Sequence, residues 1–181
     1  LHTCRDSVPF TIYSRKFEHL TKAFGLELNY QDENIDGKTD GSLGDELTRI
    51  DIANFTLECG SHDSYDESNT DELSNRIMML MHELGMLIEP EVKEASQPKK
   101  FTHLNTYLSP DGGFIDHKVA SGASVSDGQV MGELNYTDLT KENTLITARS
   151  NELILKISPT HIYYPGDHVY QTISEDDLSP I

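Results

Sequence analysis

Residues 41–60 read GSLGDELTRIDIANFTLECG. Ser42 suits the cap of a helix running to about Ile50, because its hydroxyl can accept a hydrogen bond from an otherwise unpaired amide. Asp45, three residues on, favours the same first turn. From Asn54 the character changes: Phe55, Thr56, Leu57 and Cys59 favour a short strand, and Gly60 ends it. A helix followed closely by a strand points to an α/β layer. The strand carries one carboxylate, Glu58, among neutral and apolar neighbours. Beside a glycine that leaves open space, such a carboxylate can face a cleft, where partial burial would raise its pKa and make it a usable general base. An ordinary edge-strand glutamate fits the same residues.

The flanking residues extend the pattern. Val8–Ser14 reads as extended. Phe17, Leu20 and Phe24 fall at helical spacing over Arg15–Phe24, and Gly25 suits the left-handed residue after a helix. Leu26–Tyr30 alternates like a strand, and 31–41 is a polar loop. After a second acidic loop at 61–70, a long helix is expected over Asp71–Leu87. Leu73, Ile77, Leu80, Leu84 and Leu87 share one face, with Met78 and Met81 as core filler. Residues 89–100, EPEVKEASQPKK, read as a linker. Beyond them helix signals stop. Short β runs follow at 113–119, 130–136, 144–148, 152–157 and 168–173, and the acidic tail 174–181 is expected to fray. The expected organisation is therefore an α/β part over 1–88, a linker over 89–100 and a small all-β domain over 101–181.

Composition narrows the class. The 181 residues are 36% hydrophobic, enough for one cored domain or two small ones. With 31 acidic and 14 basic residues the formal net charge is −17, which disfavours nucleic acid and anionic membrane surfaces as partners. No apolar run approaches the roughly 18 residues of a membrane helix. The opening LHTCRDSVPF lacks the basic and apolar regions of a signal peptide. Two cysteines, Cys4 and Cys59, do not make a disulfide scaffold, so a reducing cytoplasm is expected. The sequence starts at Leu1 inside what reads as a structured segment, so a part of a longer protein is expected.

His2 is a candidate metal ligand, because Leu1-His2-Thr3 would suit a strand end; a lone histidine is more often not a ligand. The sequence holds no His-Glu-x-x-His pattern and no paired-cysteine zinc motif.

A family resemblance rests on ordered segments: LHTCRDSVPF, AFGLEL, GSLGDELTRIDIANFTLECG and the helix ending HELGML. SPDGGFIDHKVASGASVSDGQVMGEL, LITARSNELIL and YYPGDHVYQTI continue the series. In that order they resemble the succinylglutamate desuccinylase/aspartoacylase family, a branch of the zinc carboxypeptidase fold. The resemblance implies the C-terminal part of a mixed α/β sheet with helices, followed by an all-β, barrel-like domain of lipoyl type. It implies a zinc cofactor held by a His-x-x-Glu pair and a later histidine. His2 corresponds to that histidine, and Glu58 to the catalytic base. No His-x-x-Glu occurs in these residues, and the pair is expected upstream of Leu1. The implied reaction is hydrolysis of an amide in a small N-acyl substrate such as an N-acyl amino acid. Arg49 or Arg5 would bind the substrate carboxylate through the two-pronged guanidinium. Arg49 could instead pair with Asp45 or Glu46 on its own helix. A homo-oligomer is an open assembly. Two alternatives stand beside this reading: a degenerate, non-catalytic small-molecule binding protein, and a lipoyl- or biotinyl-like carrier, for which Lys141 is the available lysine.

Overall fold

The computed structural model describes residues 2–3, 6–33, 41–60, 67–88, 97–138, 140–158, 160 and 162–181, with backbone alone at 2–3 and 67–69. The chain runs β1 (His2–Thr3), β2 (Asp6–Ser7), β3 (Phe10–Tyr13), α1 (Glu18–Phe24), β4 (Leu28–Gln31), α2 (Leu43–Arg49), β5 (Thr56–Cys59) and α3 (Glu67–Glu83). Then come β6 (Lys99–Phe101), β7 (Asn105–Leu108), β8 (Gly113–His117), β9 (Ser124–Val125), β10 (Val130–Asn135) and β11 (Thr144–Thr147). The last strands are β12 (Glu152–Ile157), β13 (Ile162–Tyr163), β14 (His168–Ser174) and β15 (Ser179–Pro180). Two compact units result: residues 1–4, 9–102 and 178–181 form an α/β unit, and 5–8 with 103–177 form a β module.

The α/β unit is built on a mixed sheet of six strands, ordered β1-β5-β3-β4-β6-β15. β1 is parallel to β5, β3 to β4 and β4 to β6, while β5 runs against β3 and β15 against β6. Its helices start and stop for local reasons. Gly25, at φ 72°, ends α1, and its N–H reaches the Thr21 carbonyl at 2.9 Å. Only a residue without a Cβ takes that conformation freely. Ser42 caps α2 as expected, its Oγ accepting from the Asp45 amide at 3.1 Å. The α3 guanidinium of Arg76 donates to the Gly25 carbonyl and to Glu72 at 3.0 Å, tying α3 to the end of α1.

The long helix corrects the expected core face. It begins at Glu67, and its apolar stripe is covered on one side only. Leu73 is buried with Phe24, Leu26, Leu57 and Cys59, and Leu80 packs against them. Ile77, Met78 and Leu84 are about half exposed. The 3.6-residue period found the helix, but its wide stripe exceeds what α1 and β5 can cover, and Met78 is not core filler. The tail is also corrected. Ser179 and Pro180 form β15 opposite Lys100 and Lys99, and the Ile181 amide donates to the Pro98 carbonyl at 3.1 Å. Of the linker expected over 89–100, residues 89–96 lie outside the described ones, and Lys99 and Lys100 belong to β6.

The β module consists of two open sheets. One has four strands, β11-β10-β8-β13; the other has five, β2-β12-β14-β7 with β9 paired to β12. Neither sheet closes on itself. Their alternating inward residues make one core, including Ile115, Met131, Leu134, Ile154, Tyr163 and Tyr170. No helix among the described residues is long and apolar enough to cross a membrane.

Candidate active site

β5 is the element that positions the candidate chemistry. Side chains alternate along it. Leu57 and Cys59 enter the core shared with α1 and α3, so Glu58 points to the opposite face of the sheet. There Glu58 is buried, at 8% exposed. Its register partner on β3 is Phe10, which is fully buried and packs against Phe101 at 6.3 Å between ring centroids. Tyr30 stacks on Phe101 at 5.3 Å. The carboxylate therefore stands at the end of an aromatic row. Gly60 follows at φ 72°, and nothing lies within 4 Å of where its Cβ would be. Any other residue would be strained there.

On the other side of β5 lies β1, with His2 in register with Glu58. Neighbouring strands run about 4.8 Å apart, so the backbone brings the candidate ligand and the candidate base to adjacent positions. Their sequence separation hides this. Burial pushes the thiol of Cys59, next to Glu58, up, and the Glu58 charge pushes it the same way.

Arg49 closes α2. Its Nε donates to the Glu46 carboxylate at 2.9 Å and its Nη2 lies 2.7 Å from the same oxygen, with more than half of the side chain exposed. Asn54 secures the turn into β5, donating to Thr48 Oγ1 at 3.1 Å and to the Ile52 carbonyl at 2.9 Å. Arg5 lies outside the described residues. Among the described residues no group of three or more His, Cys, Asp or Glu side chains could hold a metal ion. Of His2 the backbone alone is described, beside Glu58.

Lys141, the candidate carrier lysine, sits 2.7 Å from Asp111 and 4.8 Å above the Tyr136 ring. The hydrogen bond from Lys141 holds the Asp111 carboxyl low, and Asp111 in turn raises the Lys141 ammonium. Phe10 is the site residue that sequence reasoning missed. Its place inside the extended stretch was readable, but nothing in the sequence sets it opposite Glu58; only the antiparallel register does.

No protein-family model matches the sequence, and no curated protein does. Solved structures do. A succinylglutamate desuccinylase/aspartoacylase family protein from Shewanella amazonensis superposes with a TM-score of 0.82 at 13% identity, over 99% of this chain and 54% of that one. The chain shares the fold of that protein. The succinylglutamate desuccinylase/aspartoacylase from Rhodobacter sphaeroides gives a TM-score of 0.81 at 14% identity, over 99% of this chain and 57% of its own. The ectoine utilization protein EutE from Ruegeria pomeroyi gives 0.78 at 18% identity, over 93% and 56%. The desuccinylase/aspartoacylase fold is therefore present over little more than half the length of these structures.

Proposed function

We propose that this chain belongs to a zinc-dependent deacylase that hydrolyses the amide bond of an N-acyl amino acid or similar small molecule in the cytoplasm. The observation that carries the reading is the register of His2 with Glu58 on adjacent strands, in a fold shared with proteins named desuccinylase and aspartoacylase. His2 would supply one zinc ligand. The others would come from parts of the protein beyond these residues, which span about half the length of the matched structures. When bound, zinc lowers the pKa of a coordinated water and polarises a carbonyl.

Glu58 takes the proton of the attacking water and returns it to the leaving nitrogen, so that amide and water become carboxylate and amine. Its burial in register with Phe10 would limit the rotamers that the carboxylate has to search. Arg49 would hold the substrate carboxylate by exchanging Glu46 for it, with Arg5 as the alternative donor.

The test uses the full-length protein loaded with zinc. Glu58→Gln should keep its zinc content and its fold and lose hydrolysis by about 10²–10⁴-fold, the usual worth of a general base. Wild-type turnover in the variant would remove Glu58 from the mechanism. A second reading is a non-catalytic binding protein for the same class of small molecule. Stoichiometric binding of an N-acyl amino acid by the zinc-loaded wild type, without turnover, would select it.

A further inference from the structure

The β module carries a histidine that the proposed reaction does not use. His117, the last residue of β8, lies between two tyrosines of other strands. Its Nδ1 is 2.7 Å from the hydroxyl of Tyr170 on β14, and its Nε2 is 3.0 Å from the hydroxyl of Tyr163 on β13. The rings meet edge-on, 5.3 Å and 6.1 Å between centroids. Both tyrosines are 1% exposed.

The protons can be counted. A phenol has one, and both phenols place theirs on backbone carbonyls, which only accept. The Tyr170 hydroxyl donates to the Met131 carbonyl at 2.8 Å, and the Tyr163 hydroxyl donates to the Ser158 carbonyl at 2.8 Å. Toward His117 each oxygen therefore has only lone pairs to offer. Two nitrogens facing two lone pairs must both carry hydrogen, and an imidazole with two N–H groups is the cation.

We propose that His117 is held doubly protonated in the β module and acts as a pH-sensitive clamp between its two sheets. β8, β10 and β13 belong to the four-stranded sheet and β14 to the five-stranded one, so the His117–Tyr170–Met131 chain crosses from one sheet to the other and back. The backbone is shaped to admit it. A Cβ on Gly132 would stand 2.4 Å from the Tyr170 hydroxyl, so only glycine leaves the phenol its place.

Among the described residues, charged groups lie near His117 on β8 and β10. On β8 itself Asp116 precedes His117, and Lys118 follows it. Lys118 is paired to Asp116 and lies 4.0 Å from Glu133 of β10. Gly132 of β10 is the register partner of His117. β13 offers Tyr163, and β14 offers Tyr170, with His168 at its start. Burial first, with Tyr163 and Asp116 adding, pushes the Tyr170 phenol far up, so it stays neutral and keeps its proton on Met131. Among the described residues this neighbourhood holds the carboxylates of Asp116 and Glu133 and the ammonium of Lys118.

The sign follows. The folded state favours the charged form, so the clamp's contribution is complete below the ordinary histidine range, near pH 6.5. It is lost as the pH rises through the higher titration point of the folded protein. Deprotonation costs one bond: a neutral ring accepts from one tyrosine only if that phenol abandons its carbonyl.

Nitrogen NMR of the imidazoles in the intact protein reads this directly. His117 is assigned by the signal missing in His117→Gln or, if that variant does not fold, by through-space contacts to the Tyr163 and Tyr170 rings. Both ring nitrogens should carry hydrogen at pH 7, and Tyr170→Phe or Tyr163→Phe should move the titration midpoint down by about one pH unit. A single protonated nitrogen at pH 7, or a midpoint unmoved by either tyrosine substitution, would overturn the proposal.

Discussion

The β module and the α/β unit treat buried polar atoms differently. In the module, Glu152 is fully buried, yet its carboxylate accepts four hydrogen bonds. Tyr107 and Thr172 give theirs at 2.7 and 2.8 Å, and Asn105 and Ser150 both at 3.2 Å. The Tyr107 hydroxyl also accepts the Arg149 amide at 2.9 Å, and burial followed by the bond to Glu152 pushes this phenol up to about 12. In the α/β unit, Asn29 is equally well served, by Thr11 at 2.7 Å and by the carbonyls of Leu26 and Lys99 at 2.9 and 3.1 Å. But the buried hydroxyl of Tyr13 has no partner, alone among the described side chains, and α3 leaves half of its apolar stripe in solvent. Among the described residues the module satisfies its buried carboxylate fully, while the unit that bears Glu58 leaves one buried hydroxyl unpaired.

That contrast can be broken experimentally. The largest effect belongs to the module. Glu152→Ala strands four donors at once and should cost about 3–5 kcal/mol of stability in urea unfolding. A cost below about 1 kcal/mol would mean that the network contributes little to the stability of the module. In the α/β unit a middle-sized effect is expected in kinetics and not in stability. Arg49→Lys should raise KM for an N-acyl amino acid about tenfold, because a point charge replaces a planar fork, and should change stability by less than about 1 kcal/mol. Unchanged KM would leave Arg49 as the surface partner of Glu46 and shift the role to Arg5. The smallest effect sharpens the comparison most. Tyr13→Phe removes an unpaired buried hydroxyl, so it should be neutral or stabilising by up to about 1 kcal/mol. A clear destabilisation would show that a water or another group satisfies Tyr13 in solution.

Elements whose cause is local were legible in the sequence. Ser42, Asp45 and Gly25 announce their helix ends, and 152–157 was read with its final boundaries, because capping and alternation act within a few residues. β2, β6, β7, β9, β13 and β15 were missed. They are short, and β15 is acidic at its approach and contains proline, so only partners far along the chain make it a strand. The candidate site divides the same way. Glu58 was readable as a lone carboxylate before a glycine. Its neighbours Phe10 and His2 lie 48 and 56 residues earlier, and pairing places them there, not pattern. Burial on α3 was misjudged for a related reason: periodicity says which residues share a face, but not how much of the face a neighbour can cover.

β6 and β15 have a consequence for how such a chain can be altered. Lys100 stands opposite Ser179, so the stretch between them departs from and rejoins the sheet at one rung, about one strand spacing apart. It is grafted into what would otherwise be a simple hairpin. The free energy of closing a loop between fixed ends grows slowly with its length. Lengthening or exchanging content between the two strands is therefore expected to leave the register of the parent sheet unchanged. The exception is Asp6–Ser7, whose pairing with Lys156 and Ile157 makes a second stitch to the graft, and any exchange has to reproduce it.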